Sequence, residues 1–223
     1  MELKSTAKIN IGLHVYNKRQ DGFHNIATIF QEINFFDIIN IREAKNFSCK
    51  TSTGQIKQED NFSTKAFNLI KEAFPHIPNV DIDIQKNIPT NAGLGGGSSN
   101  GTSVLRGLNT FFDLSLNNDE LSEFASKVSS DSTFFVNGGL QLGTKKGEEL
   151  IPILETEIPK HILLVYPNIK ISTKDAFKQL KNHLLNENMD INLSHLLKEL
   201  KNNNFDSKLF KNDFEMYVFE THP

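Results

Sequence analysis

Eleven residues, Pro89-Thr90-Asn91-Ala92-Gly93-Leu94-Gly95-Gly96-Gly97-Ser98-Ser99, constrain this chain more than any other stretch. Four of the five residues from Gly93 to Gly97 are glycine. Ahead of them Val80, Ile82 and Ile84 alternate with Asp81, Asp83 and Gln85, the period of a half-buried strand. After them Val104, Leu105, Leu108, Phe111 and Phe112 share one helical face. The stretch therefore reads as strand, glycine loop and helix N-terminus. Glycines let backbone N–H groups approach a ligand at φ angles closed to other residues. The helix start adds unpaired donors and the positive end of its dipole. Together they predict an anion site suited to phosphate. Ser98 and Ser99 are placed to cap the helix, and either hydroxyl can reach phosphate or a metal ion. The pattern is not the P-loop, whose lysine is missing, nor G-x-G-x-x-G, since Ser98 follows Gly97. A plain flexible turn is the bland reading, but a turn seldom needs four glycines.

The surroundings narrow the class. At 223 residues the chain can bury a substantial core in one or two domains. A net charge of −3 argues against a nucleic-acid-binding face. Cys49 is the single cysteine, so no internal disulfide is available, and a reducing cytoplasm suits it. Nothing near Met1 resembles a signal peptide, and no segment has the roughly 20 apolar residues of a membrane span.

Taken in order, Ala7–Tyr16 alternates as a strand, with Lys8 and Asn10 pointing away from the core. A turn follows over Asn17–Gly22. Strands are then predicted from Ile26 and over Phe35–Ile41, and a peripheral hairpin over Phe47–Lys57. Asp60 or Asn61 caps a helix bearing Phe62, Ala66, Leu69 and Ile70. Asn117 and Glu120 stand at capping-box spacing. The helix they open ends at Ser129-Ser130-Asp131-Ser132, and Phe134–Val136 are expected to start a strand. The shift in composition over Pro152–Lys160 suggests a domain boundary. Ile162–Pro167 reads as a strand, and Ser172 to Asp175 as another capping box. A helix is expected from Ser194. Taken alone, Lys8 reads as an exposed edge lysine, Asp131 as a turn aspartate and His24 as a structural histidine.

Six stretches carry a resemblance to a known family. They are Ala7-Lys8-Ile9-Asn10, Asp21-Gly22-Phe23-His24, Pro89 to Asn100, Ser130-Asp131 with Phe134-Phe135, Ser172 to Phe177, and Asn212-Asp213-Phe214-Glu215. In that order they resemble the small-molecule kinases of the galactokinase, homoserine kinase, mevalonate kinase and phosphomevalonate kinase (GHMP) superfamily. Within it the likeness is greatest to the branch acting on 4-diphosphocytidyl-2-C-methyl-D-erythritol, in the non-mevalonate route to isoprenoid precursors.

The resemblance implies an α+β, two-lobed fold. An N-terminal nucleotide lobe would span 1–153, and a ferredoxin-like C-terminal lobe 154–223. It implies ATP and Mg²⁺ as cofactors and phosphorylation of the substrate's 2-hydroxyl. Asp131 would accept the hydroxyl proton, with Lys8 orienting it and keeping it ionised. Asn10, Phe23, His24 and Lys174 would hold the cytidine diphosphate end. Pro89, Gly93, Leu94, Gly95, Gly96, Gly97, Ser98 and Ser99 would hold the nucleotide, with Asn61 and Asn109 near its adenine and Ser99 as metal ligand.

Several positions depart from the family pattern. Phe23 stands where tyrosine is usual, Asn91 where a small residue is, and Ser129, Ser132 and Thr133 where Gly, Val and Pro surround the aspartate. The family's last glycine-serine motif has no counterpart before Pro223. On that ground the C-terminal lobe is expected to be incomplete, ATP binding to outlast acceptor binding, and the chain to self-associate as a homodimer. Two other readings stay open here: a mevalonate- or homoserine-type kinase, and a non-catalytic nucleotide binder.

Overall fold

The computed structural model describes residues 1–54, 56–154, 161–169, 171, 176–177, 180, 197–202, 204 and 210–222. Among these the order is β1 (Glu2–Lys18), β2 (His24–Ala44), β3 (Ser48–Thr51), α1 (Phe62–Ala73), β4 (Asn79–Gln85), α2 (Gly96–Phe111), α3 (Asn118–Val128), α4 (Phe134–Asn137), β5 (Leu140–Thr144), β6 (Glu149–Pro152) and α5 (Phe214–Thr221). Helices and strands are mixed along the chain, an α+β fold. The chain divides into two compact units. One holds Met1–Ile9 with Glu32–Gly138, the other Asn10–Gln31 with Gly139–Pro223. Compactness thus draws an interleaved division, whereas the family resemblance implies a single cut at 153/154.

In the first unit β4 lies between β2 and β3, antiparallel to β2 and parallel to β3. The parallel pair is possible because α1 provides the crossover between β3 and β4. The expected hairpin over Phe47–Lys57 is therefore replaced by an edge strand. Alternation along β4 sorts its faces: Val80, Ile82 and Ile84 are buried, while Arg42 pairs with Asp81 and Asp83 on the other side. The buried face meets Ile39 and Ile41 of β2, Phe67 and Ile70 of α1, Leu105 and Leu108 of α2, and Leu121 and Ala125 of α3. This is the main core, and it fixes α2 and hence the glycine loop.

The second unit pairs Thr28–Gln31 of β2 with β5, and β5 with β6, all antiparallel. Tyr16, Ala27, Ile29, Leu142 and Leu200 form one buried cluster, and Leu13, Val15 and Leu180 another.

Other expectations change in the structure. β2 is one strand where two were expected, since neither Gly nor Pro interrupts residues 24–44. Phe134–Asn137 is a helical turn, not a strand. Short apolar runs do not declare their period, and here Phe135 N, Val136 N and Gly138 N donate to Ser132 O, Thr133 O and Phe134 O. Residues 161–169 carry no regular structure, so the strand over Ile162–Pro167 is not formed, and Leu163 and Val165 are 90% and 74% exposed. The expected capping box at Ser172–Asp175 and the start of the helix at Ser194 lie outside the described residues.

Candidate active site

The glycine loop reaches α2 through left-handed residues: Asn91 at φ 60°, Gly93 at φ 74° and Gly95 at φ 69°. Asparagine tolerates that region better than most residues, which accounts for Asn91 where the family pattern has a small residue. Gly95 has a second constraint. A Cβ there would lie 2.8 Å from Phe135 Cζ and 3.0 Å from Lys8 Cγ. Gly95 is the N-cap of α2 and supplies no side-chain cap. Helices α1 and α3 are instead capped by Asn61, which accepts from Ser63 N, and by Asn117, whose box with Glu120 is complete. The first N–H groups of α2 therefore stay available to an anion. A cavity of about 350 Å³ opens beside them, lined by Asp60, Asn61, Phe62, Lys86, residues 89–98 and Asn100.

Ser98 and Ser99 lie inside the first turn and do not cap it. Ser98 lines the cavity and accepts a hydrogen bond from Ser129 Oγ at 2.8 Å. Ser99 is 1% exposed, and its hydroxyl meets Ser5 Oγ at 2.8 Å. Leu94 is buried.

Lys8 is buried, not an exposed edge residue. Its backbone N–H donates to Leu94 O at 3.0 Å, its stem packs on Gly95, and its Nζ lies 3.6 Å from Asp131 Oδ2. The carboxylate is the open member of the pair, with side-chain exposures of 8% for Lys8 and 38% for Asp131. Asp131 sits in the turn between α3 and α4. That turn is fastened to α2 by hydroxyls: Ser129 Oγ reaches Ser98 Oγ and Ser132 Oγ, and Thr102 Oγ1 donates to Ser132 O at 2.8 Å. The serines around Asp131 thus anchor its turn to the helix that begins at the glycine loop.

Asn61 is brought to this cavity, but Asn109 is not. It lies thirteen residues beyond Gly96, about 20 Å along α2 at 1.5 Å per residue. There its side chain closes the following loop, donating to Leu116 O and accepting from Leu116 N.

Of the residues expected to hold the acceptor, Asn10, Phe23 and His24 fall in the second unit, and Lys174 lies outside the described residues. Phe23 is 57% exposed, with Lys146 Nζ 5.1 Å from its ring centroid. His24 stacks on Phe177 at 5.2 Å. Asn10 Nδ2 donates to Thr28 Oγ1 at 2.8 Å.

Residues 61–140, which include the loop and Asp131, match the GHMP kinases N terminal domain. A 4-diphosphocytidyl-2-C-methyl-D-erythritol kinase of Sulfurihydrogenibium sp. (strain YO3AOP1) is 40% identical over 191 residues, 86% of this chain and 69% of that protein. One from Prochlorococcus marinus (strain AS9601) is 36% identical over 98% of this chain and 74% of its own. The chain belongs to the 4-diphosphocytidyl-2-C-methyl-D-erythritol kinase family. A solved 4-(cytidine 5'-diphospho)-2C-methyl-D-erythritol kinase superposes with a TM-score of 0.79 at 24% identity, covering all of this chain and 79% of that one. A mevalonate pyrophosphate decarboxylase from Streptococcus pyogenes gives 0.68 at 21% identity. At these identities the two structures speak for the GHMP kinase fold alone.

The cavity also holds residues that the glycine-loop motif does not announce. Lys86 brings an ammonium to the glycine-loop cavity, where the loop motif itself has no lysine. Asn100 lines the same cavity one turn into α2. Asp37 lies behind both, bonded to each. The signal for Asp37 was present: alternation puts it on the face of Ile39 and Ile41, where a carboxylate must have a partner.

Proposed function

We propose that this chain transfers the γ-phosphoryl group of ATP to the 2-hydroxyl of 4-diphosphocytidyl-2-C-methyl-D-erythritol, a step of non-mevalonate isoprenoid precursor synthesis. The observation that carries the reading is the Lys8–Asp131 pair joined to the glycine loop through the Lys8 N–H and Leu94 O. That linkage sets a base, a cation and a phosphate cradle in one frame, which is what phosphoryl transfer asks of a protein.

Asp131 accepts the hydroxyl proton from its exposed position. Lys8, whose stem and the Phe135 ring both crowd Gly95, keeps that carboxylate oriented. The loop N–H groups and the α2 terminus hold the phosphates and stabilise charge that develops on them. Asn61 borders the nucleotide cavity. Phe23 offers an exposed ring face to cytosine, with Asn10, His24 and Lys174 serving the same end of the acceptor.

The kinase family uses ATP, and Mg²⁺ accompanies it, supplying charge neutralisation on the phosphates. Among the described residues no group of three His, Cys, Asp or Glu is placed to hold a metal. This suits an ion carried mainly by phosphate and water. Ser98, on the cavity, is better placed to touch it than Ser99, which is engaged with Ser5. No helix among the described residues is long and apolar enough to cross a membrane. The single buried thiol fits a reducing, ATP-containing cytoplasm.

The test is ADP release with three acceptors: the cytidylated substrate, mevalonate and homoserine. Release with the first alone supports the proposal. Release with either of the others alone replaces it with another GHMP activity.

A further inference from the structure

The buried charges of the first unit meet behind the glycine loop, at Asp37. This residue has no exposed surface, and the Lys86 side chain is 4% exposed. Asp37 Oδ1 accepts from Asn87 N at 2.7 Å and Ile88 N at 2.8 Å, the corner where β4 turns into the loop. Asp37 Oδ2 accepts from Lys86 Nζ and from Asn100 Nδ2, the latter at 2.9 Å. Lys86 Nζ also donates to Asn100 Oδ1 at 3.0 Å, and Asn100 Nδ2 to Ser5 Oγ at 2.9 Å. One carboxylate therefore grips the chain just before the loop and again just after it.

We infer that Asp37 is a positioning residue for the nucleotide loop: it fixes both ends of residues 89–99 and neutralises Lys86 beneath the start of α2. Four glycines make the loop entropically expensive to hold, and pinning its ends removes much of that freedom. Charge gives a second reason. A Cβ on Gly96 would stand 3.4 Å from Lys86 Nζ, so the ammonium lies against the positive end of the helix. Without a carboxylate behind it, a buried cation there is strongly unfavourable. Asp37 lets the protein keep that cation at the cavity and the loop in one shape before a ligand arrives.

The inference rests on the kinase reading only in taking ATP as the ligand. The test is calorimetric titration of wild type, D37N and the exchange variant D37N/N100D with ATP in Mg²⁺, and separately with the cytidylated substrate, each variant first checked for folding by thermal melting. D37N is expected to bind ATP about tenfold or more weakly, the usual effect of losing hydrogen bonds to a charged group. Its affinity for the acceptor should stay within about twofold of wild type. The exchange variant returns a carboxylate to Lys86 and should recover ATP affinity to within about threefold, a rescue that a packing role would not give. Folded D37N with wild-type ATP affinity overturns the inference. If D37N does not fold, the exchange variant decides: folding with near-wild-type affinity supports it, and weak binding or failure to fold overturns it. Wild type that binds no ATP would bring down the kinase reading itself.

Discussion

Asp131 and Lys8 stand 3.6 Å apart, the lysine buried and the aspartate facing out. Asp131→Asn should retain the fold and ATP affinity while turnover falls about 10²–10⁴-fold, the share of a positioned general base. Steady-state kinetics with both substrates checks this, and near-normal turnover would remove Asp131 from the base role. Phe23 is proposed to bind the acceptor, and it is 57% exposed. Phe23→Ala should raise KM for the cytidylated substrate roughly tenfold, as base–aromatic stacking is worth about 1–3 kcal/mol, and leave KM for ATP alone. Equal effects on both substrates would mark the ring as packing. Cys49 makes a prediction about pH. Burial pushes its thiol from 9.0 up to about 11. The unfolded chain therefore loses this proton first, and stability should fall between pH 9 and 11 by on the order of 2 kcal/mol. Denaturant titrations across that range should show the loss in wild type and its absence in Cys49→Ala.

The elements show which parts of the site a sequence makes legible. Strand β4, the glycine loop and α2 could be read directly, because period 2, a run of glycines and period 3.6 follow one another without a gap. The capping box at Asn117 and Glu120 was equally plain, being local chemistry. What stayed hidden was non-local. The pairing of β3 with β4 depends on α1 closing the crossover, and the helical turn at Phe134 on backbone bonds that begin at Ser129. Burial of Lys8 needs the loop folded over it. Lys86, Asn100 and Asp37 meet only once β2, β4 and α2 are packed. Gly95 is where element and site coincide. Gly95→Ala puts a Cβ into Phe135 and Lys8 at a left-handed φ, so it should lower both melting temperature and ATP affinity. Unchanged ATP binding in a folded variant would contradict the loop geometry. Asn117→Ala is the contrasting change. It should cost about 1 kcal/mol, a melting shift of roughly 2–4 °C, with turnover at low temperature unaltered.

At the scale of the whole molecule, two compact units share β1 and β2, each strand contributing residues to both. The phosphate cradle and the Lys8–Asp131 pair belong to one unit, and Asn10, Phe23 and His24 to the other. Family membership and the arrangement around Asp131 come from different sources, sequence likeness and geometry, and they converge on one chemistry. The most direct measurement is ADP formation by the purified chain with ATP, Mg²⁺ and 4-diphosphocytidyl-2-C-methyl-D-erythritol, run beside the Asp131→Asn variant. The account predicts ADP release that requires the cytidylated acceptor and is lost in the variant, with phosphate recovered on the 2-hydroxyl. Release that is independent of the acceptor, or equal in the two proteins, would contradict it.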